Sequence, residues 1–345
     1  MPESSNTYDV VVATRDRPDA LELSLPLILG QHPPPQQLIV VDSSVESAPV
    51  AQVVASLHNP RGTDVIVINS EAGLTVQRNA GLRLVTAPIV FFPDDDALWH
   101  PGYAEHIMRI FDLDVHRSVG AVGGREVSDL PGLSAPTAYS LSLSGRLRRG
   151  LTPYRARFER KWFPEPVVLA ARELMDRHSF PDWVDFDNVV PVEYITGFRM
   201  SFRTAFIATE GFDEDLHRYG LYEDADVSLR AWRGHLVLVD HRATVVHHKS
   251  PGGRETGWQD GYFHLLNYAY VVCKHTLPGS KPRLQLIPWS WYRFFIYAVR
   301  TRSRASVQRS HGALAGVHAI RTLVRSEDEA TLRANYRALS SRSRE

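Results

Sequence analysis

Four short apolar runs near the start of the chain constrain its fold more than any other feature. They are rich in Val, Ile and Phe and lie at residues 8–12, 37–41, 64–68 and 88–92. Such runs are typical of parallel strands that are buried on both faces. Stretches with the apolar spacing of helices separate them, at residues 20–29, 50–57 and 74–85. The alternation predicts an α/β fold in which helices flank a mostly parallel, Rossmann-like sheet.

The length of 345 residues accommodates one catalytic domain with appendages. We expect that domain over residues 1–253, with a basic insertion at about 129–187. Its core is expected to close with two strands, at residues 236–239 and 243–247. A helical, aromatic and arginine-rich C-terminal extension is predicted over residues 254–345.

Composition argues against several classes of protein. Lys+Arg and Asp+Glu both number 39, so the overall charge does not favour a nucleic-acid partner. Cys273 is the single cysteine, which rules out an internal disulfide framework and a cysteine-based zinc cluster. The polar first residues lack the layout of a secretory signal, and the apolar stretch at 286–299 is shorter than the roughly 20 residues that cross a bilayer. We therefore predict a cytoplasmic protein without a spanning helix.

Polar residues follow three of the predicted strands. Thr14-Arg15-Asp16 follows the first strand, Asp42-Ser43-Ser44 the second and Asp94-Asp95-Asp96 the fourth. An open parallel sheet binds ligands beyond the carboxyl ends of its strands, so we expect these loops to line one crevice. The glycine fingerprint of dinucleotide binding is absent from the first turn, which disfavours a dehydrogenase.

The consecutive carboxylates of Asp94, Asp95 and Asp96 repel one another unless a cation compensates them. Carboxylate oxygens at the end of a strand suit a hard divalent ion, and Mg²⁺ or Mn²⁺ would bring the oxygens of a diphosphate with it. The alternative is a solvated acidic turn that caps the helix expected near Pro101.

A second acidic cluster, Glu223-Asp224-Ala225-Asp226, stands where a helix is expected to begin. Acidic residues are favourable at a helix N-terminus, so capping alone accounts for one or two of them. The excess of carboxylates indicates general-base catalysis, in which an ionised side chain near a cleft accepts the proton of an attacking hydroxyl.

His247 and His248 end a strand-like run in which Ala243 and Val245 share the side of His247. Because neighbours in an extended chain point to opposite faces, only one of the two histidines can face the crevice. A solitary histidine is more often structural than a metal ligand, and both interpretations stay open on these residues alone.

Taken together, these residues make the chain resemble the family 2 inverting glycosyltransferases of the GT-A fold, over residues 8–253. Six features agree with that family in order, and they are Thr14-Arg15-Asp16-Arg17, Val40-Val41-Asp42, Gln77-Arg78-Asn79-Ala80-Gly81, Phe92-Pro93-Asp94-Asp95-Asp96, the pair Gly211-Phe212-Asp213-Glu214 and Tyr222-Glu223-Asp224-Ala225-Asp226, and Val246-His247 with Ser250-Pro251-Gly252. The Gln-x-x-Arg-Trp element of processive polysaccharide synthases is missing, since residues 230–234 read Arg-Ala-Trp-Arg-Gly. An enzyme that adds one sugar at a time is therefore expected.

The resemblance implies a role for each of these features. It implies inverting transfer from a nucleotide-diphosphate sugar, with Asp224 as the general base and Glu223 beside it in the catalytic pair. It also implies a divalent metal, Mn²⁺ or Mg²⁺, held by Asp94, Asp96 and His247. The residues implied to contact the nucleotide sugar are Thr14, Arg15, Asp42, Arg78, Asn79, Asp94 and Asp95.

Two other functions stay open. A sugar nucleotidyltransferase would need a glycine-rich, basic phosphate loop after the first strand, where only Arg15 and Arg17 point to one. A non-catalytic sugar- or lipid-binding module of the same fold is the other alternative. The intact set of Asp224, Asp96 and His247 argues against that module.

The implied partners are the donor and a glycan or lipid-linked acceptor, as in cell-surface polysaccharide biosynthesis. A cluster of aromatic residues with basic neighbours also predicts peripheral contact with the inner face of the cell membrane, because such residues are favoured at the level of the lipid headgroups. The aromatic residues of this cluster are Trp289, Trp291, Tyr292, Phe294, Phe295 and Tyr297. The basic residues from Arg146 to Lys161 are expected to add to this attraction. The alternative is that the aromatic residues pack as ordinary core.

Overall fold

The computed structural model of the protein describes residues 6–128, 163–216, 220–250, 257–301 and 303–341. These residues divide into two units. Described residues 6–128, 174–216 and 220–250 belong to the first unit, and 163–173, 257–301 and 303–341 belong to the second. The basic residues from Arg146 to Lys161, for which membrane attraction is predicted, lie outside the described residues.

The four apolar runs form the parallel half of a sheet in the first unit. The elements are β1 (Tyr8–Thr14), α1 (Pro18–Leu29), β2 (Gln37–Asp42), α2 (Ala48–Ala55), β3 (Asp64–Asn69), α3 (Leu74–Leu82) and β4 (Ile89–Phe92). Parallel pairing joins β1 to both β2 and β4, and β2 to β3. The predicted α/β alternation is confirmed.

Strand β3 differs from the expectation of burial on both faces. It lies at the edge of the sheet, and its residues are half-buried or exposed. A run of β-branched residues predicts a strand, because such residues fit a pleated surface, but it does not tell whether the strand is central or at the edge of the sheet. The exposure of β3 therefore could not be predicted from its sequence.

Further along the chain the sheet becomes mixed. The elements are β5 (Ala97–Trp99), α4 (Tyr103–Leu113), β6 (Val119–Val127), α5 (Pro166–Met175), β7 (Val189–Pro191), β8 (Met200–Arg203), α6 (Thr204–Ile207), α7 (Glu223–Ala231) and β9 (Leu236–His247). The strand order is β3-β2-β1-β4-β8-β6-β9-β5, and β7 pairs with the first part of β9. Strand β8 runs antiparallel to both β4 and β6, whereas β6 and β9 are parallel.

The two closing strands expected at residues 236–239 and 243–247 form one strand, β9, so that expectation is wrong in its count. The register of β9 against β6 shifts between Gly124 and Arg125, beside the polar residues that suggested a break. There the Asp240 carboxylate accepts hydrogen bonds from Arg242 Nε at 2.9 Å and Nη2 at 2.7 Å. This local pairing of charges lets the strand continue through a polar stretch.

Helix α3 packs closely on β1 and β2, and this contact depends on Gly81. A Cβ atom at Gly81 would overlap the side chain of Val11 and lie 3.0 Å from Val41 Cγ2. The glycine of the Gln77-Arg78-Asn79-Ala80-Gly81 segment therefore sets the approach of the helix to the sheet.

The second unit is helical, as predicted for the C-terminal region. It contains most of α5 together with α8 (Gly257–His275), α9 (Lys281–Ala298), α10 (Arg304–Val324) and α11 (Glu329–Ser341). Helices α8 and α10 cross at two glycines, because a Cβ atom at Gly261 or Gly312 would collide with the backbone of the other helix. Among the helices of the described ranges, none is both long and apolar enough to cross a membrane.

Candidate functional site

Polar loops meet at the carboxyl ends of β1, β2 and β4 in the first unit. The hydroxyl of Thr14 donates to Asp95 Oδ2 at 2.9 Å, which ties the end of β1 to the acidic loop after β4. Gln77 Nε2 donates to the backbone carbonyls of Thr14 at 2.8 Å and Val41 at 2.9 Å. Helix α3 therefore fixes the ends of two strands at the edge where ligands are expected.

Asp94, Asp96 and His247 come together at this edge although β9 is far from β4 in the sequence. One ligand atom from each residue lies within 4.8 Å of the others. The antiparallel pairing of β5 with the end of β9 creates this proximity, because it sets Ala97 opposite His247. The His247 ring also stacks on Phe198, with ring centroids 4.4 Å apart.

The burial and contacts of the Asp96 carboxylate indicate that these three residues suit a cation. Its Oδ1 atom is buried and lacks a hydrogen-bond partner in the described part of the chain, while His247 Nε2 lies 3.4 Å away. Burial alone would raise the pKa of Asp96, but His247 and Arg17 outweigh it and lower the pKa to about 2. A buried, ionised oxygen that faces an imidazole and a second carboxylate fits a hard divalent ion such as Mn²⁺ or Mg²⁺.

Arg17 occupies the other side of the acidic loop. Its Nη1 atom lies 2.7 Å from Asp95 Oδ1 and its Nη2 atom 2.6 Å from Asp96 Oδ2. Asp96 Oδ2 also accepts the Ser250 backbone N–H at 2.9 Å. Burial raises the pKa of Asp95 to about 7, although Arg17 acts in the opposite direction. The guanidinium thus compensates part of the acidic loop and leaves Asp96 Oδ1 for another cation.

Arg78 joins the acidic loop to the second acidic cluster. Its guanidinium donates to Glu223 Oε1 at 2.6 Å, to Asp94 Oδ1 at 2.9 Å and to the Gly197 carbonyl at 3.1 Å. It also lies over the ring of Phe212, 5.3 Å from the centroid. Contacts on every side hold Arg78 as a buried cation that links two groups of acids.

Asp224 lies in the first turn of α7, next to this link. Its Oδ2 atom accepts the Gly197 N–H at 3.0 Å and its Oδ1 atom accepts the Ala225 N–H at 2.7 Å. Burial raises the pKa of the Asp224 carboxyl, and the backbone donors and Arg78 oppose that shift. A half-buried carboxylate with a raised pKa is a stronger base than a solvated one, which suits proton abstraction.

Glu223 has a different setting from Asp224. Burial raises its pKa, repulsion from Asp224 adds to the shift, and Arg78 opposes it. Because Glu223 is buried and bound to Arg78, its described contacts support the fold of the site, and a direct catalytic role remains a prediction.

The residues predicted to contact the nucleotide sugar fall into two groups. Asp42 is buried, with Oδ1 bound to Ser44 and Oδ2 without a hydrogen-bond partner within the described ranges, while Arg15 is exposed in the loop after β1. Asn79 instead binds the Gly211-Phe212 segment, because its Oδ1 accepts the Phe212 N–H at 2.7 Å and its Nδ2 donates to the Phe212 carbonyl at 2.9 Å. Donor contacts by all of these residues remain predictions.

Three further residues contact the candidate site, and the sequence patterns assigned no individual role to any of them. Arg17 and Ser250 fix Asp96, and Phe198 supports the ring of His247. Arg17 and Ser250 each stood within a family-like segment, which was the available signal for them. The contact of Phe198 with His247 has no local signature in the sequence.

Comparisons with known proteins agree with this geometry. The profile described as Glycosyl transferase family 2 matches residues 9–168. Among curated proteins, no sequence is significantly similar to the chain.

Several solved structures share the fold. A mannosyltransferase, PcManGT from Pyrobaculum calidifontis, in complex with GDP-Man and Mn²⁺, is 16% identical, with a TM-score of 0.51 over 99% of this chain and 88% of that chain. S. aureus TarS in complex with UDP-GlcNAc is 15% identical, with a TM-score of 0.53 over 98% and 91% of the two chains. GalNAc-T7 with UDP, GalNAc and Mn²⁺ is 12% identical, with a TM-score of 0.53 over 90% of this chain and 55% of that chain. At these identities the likeness establishes a shared GT-A fold.

Proposed function

We propose that this chain, whose residues 9–168 match the Glycosyl transferase family 2 model, is an inverting, metal-dependent glycosyltransferase that uses a nucleotide-sugar donor and adds one sugar per reaction. The single observation that carries the proposal is the buried guanidinium of Arg78, which contacts Asp94 on one side and Glu223 on the other. This contact supports the proposal because it links the loop of the candidate metal ligands to the helix turn that carries the candidate base, Asp224.

The proposed chemistry is direct displacement at the anomeric carbon. Asp224 accepts the proton of the acceptor hydroxyl, and its backbone hydrogen bonds from Gly197 and Ala225 hold the carboxylate in place. Asp94, Asp96 and His247 would hold Mn²⁺ or Mg²⁺, which when bound supplies positive charge for the departing diphosphate. Arg17 Nη2, 2.6 Å from Asp96 Oδ2, orients this carboxylate for that role, and His247 together with Arg17 lowers the pKa of Asp96.

The donor and acceptor classes belong to the same proposal. GDP-Man and UDP-GlcNAc are the nucleotide sugars bound by the similar structures, so GDP- and UDP-sugars are the first donors to test. The acceptor is proposed to be a glycan or a lipid-linked sugar of cell-surface polysaccharide biosynthesis. A cytoplasmic enzyme in peripheral contact with the inner membrane face would meet both substrates.

A two-stage experiment tests the proposed function. Thermal unfolding is first measured with a panel of nucleotide sugars in the presence of Mn²⁺, Mg²⁺ or EDTA, because a ligand that binds only the folded state raises its stability. Donors that raise the melting temperature are then assayed for release of nucleoside diphosphate and for sugar transfer. Full activity in EDTA would contradict the metal dependence. Formation of a nucleoside triphosphate and a sugar 1-phosphate from the nucleotide sugar when pyrophosphate is added would instead identify a sugar nucleotidyltransferase.

A further inference from the structure

Helix α9 in the second unit has two apolar faces, and the described fold uses one of them. Leu286, Trp289 and Tyr297 are buried, and Trp289 stacks on Tyr268 with ring centroids 4.0 Å apart. The aromatic residues of this helix are thus divided, since part of the set predicted to contact a membrane is core.

The opposite face of α9 is apolar and open to solvent. We define the α9 stripe by its members, which are Leu284, Pro288, Trp291, Phe295 and Val299. Their spacing of three and four residues places them on one side of the helix and of the residue that ends it. Four of them expose large fractions of their surface, namely Leu284 59%, Trp291 38%, Phe295 59% and Val299 60%. Exposed apolar residues in a continuous row mark an interaction surface more often than isolated ones do.

The charge around the stripe indicates what kind of partner it meets. Residues 261–326 contain no Asp or Glu and ten Lys or Arg. Lys281 and Arg300 are exposed at the two ends of α9, and Arg304, Arg321 and Arg325 are exposed on or next to α10. Exposed basic side chains beside an apolar row suit a partner that is both apolar and anionic.

From this combination we infer that the α9 stripe binds the surface of an anionic phospholipid bilayer, with Trp291 and Phe295 at the level of the headgroups. A second copy of the chain would bring two equally basic faces together, which costs energy, whereas anionic headgroups neutralise them. The α9 stripe is thus the surface through which the proposed membrane contact would form. It lies in the second unit, whereas the candidate metal ligands and the candidate base lie in the first.

Vesicle co-sedimentation tests the inference with the full chain. The protein is mixed with vesicles of phosphatidylcholine alone or with phosphatidylglycerol added, at low and high salt. We expect binding to the mixed vesicles at low salt, weak binding to phosphatidylcholine, and loss of binding as salt rises. The variant Phe295→Gln/Val299→Gln should bind about tenfold more weakly, because two half-exposed apolar side chains no longer enter the interface.

The matched control replaces two exposed apolar residues of the first unit, Leu113→Gln/Val115→Gln, and should sediment like the unaltered protein. Thermal unfolding and the donor-induced shift with Mn²⁺ are measured on both variants, so that misfolding or loss of the donor site is recognised separately. Equal vesicle binding by Phe295→Gln/Val299→Gln and its control would overturn the inference. So would a protein that forms dimers without vesicles and becomes monomeric on the same substitution, since the stripe would then join two copies.

Discussion

Arg78 Nη1 lies 2.6 Å from Glu223 Oε1, and the Arg78 side chain is 1% exposed. Through the same guanidinium, Asp94 of the loop after β4 is joined to α7. Breaking a buried ion pair leaves an uncompensated charge away from water, which costs more than the pair itself contributes.

We therefore expect Arg78→Met to lower the free energy of unfolding by about 3–5 kcal/mol, measured by urea denaturation. The control is Arg333→Met, whose partner Glu329 lies one helical turn away on an exposed surface at 3.0 Å. That change should cost about 1 kcal/mol or less. Similar losses in the two variants would show that the buried guanidinium is not a structural link.

Arg17 permits a second prediction, because it compensates two carboxylates of the acidic loop. Arg17→Gln should lower the melting temperature in EDTA, since Asp95 and Asp96 then repel each other without a nearby cation. Added Mn²⁺ should restore stability, so the rise in melting temperature on adding Mn²⁺ should be larger than for the unaltered protein. Arg15→Gln serves as the control, because it changes an exposed side chain that lies beside Arg17 in the loop after β1. An equal Mn²⁺ effect in both variants would contradict this account of Arg17.

The two adjacent histidines give a third prediction. His247→Ala should weaken Mn²⁺ binding about tenfold or more, measured by electron paramagnetic resonance of free Mn²⁺, because it removes one of the three candidate ligands. His248→Ala should leave the Mn²⁺ affinity near its original value. His248 contacts Asp96 through a backbone hydrogen bond, from its N–H to the Asp96 carbonyl, which an alanine also makes. Comparable losses for the two histidines would count against the assignment of His247.

The runs at 8–12 and 88–92 predicted strands because β-branched residues fit a pleated, buried surface, and the polar residues after them predicted the edge where the candidate site lies. The grouping of Asp94, Asp96 and His247 followed only from the family resemblance. Its physical origin is the pairing of β5 with β9, which no local pattern contains.

Other features depended on tertiary packing and escaped prediction. Arg78 and Asn79 stand in a segment that suggested ligand contact, yet both are engaged by elements more than a hundred residues away. In α9, Trp289 and Trp291 differ by two positions and carry the same side chain, but one is buried and the other exposed. A helix with apolar residues on both sides does not reveal from its sequence which side faces the core.

Asp224 and Glu223 are neighbours whose substitutions should affect different quantities. Asp224→Asn should lower kcat by about 10²- to 10⁴-fold while donor affinity stays within a few-fold, because the amide keeps the shape and cannot accept the proton. Glu223→Gln should mainly lower the free energy of unfolding, since it removes the charged partner of Arg78. Kinetics and urea denaturation on both variants separate the two effects, and near-normal turnover by Asp224→Asn would remove it from the role of base.

The last prediction concerns the pH dependence of stability, through His264 in α8. Burial and the neighbouring Arg293 and Arg309 lower the pKa of His264 from its ordinary 6.5 to about 3, and its Nε2 atom lies 3.0 Å from Arg293 Nη2. The unfolded chain therefore takes up a proton below about pH 6.5, whereas the folded chain resists it until about pH 3. Stability must fall as pH falls through that window, by up to about 1.4 kcal/mol per pH unit from this residue.

His264→Gln should remove this contribution, because glutamine does not titrate and its side-chain oxygen can still accept from Arg293. Urea denaturation at pH 7 and pH 5 should therefore show a smaller loss of stability on acidification in this variant than in the unaltered protein. The control is His311→Gln, which replaces an exposed histidine of α10 and should leave the pH dependence as it was. If all three proteins lose the same stability between the two pH values, His264 is not held neutral by its buried position beside the arginines.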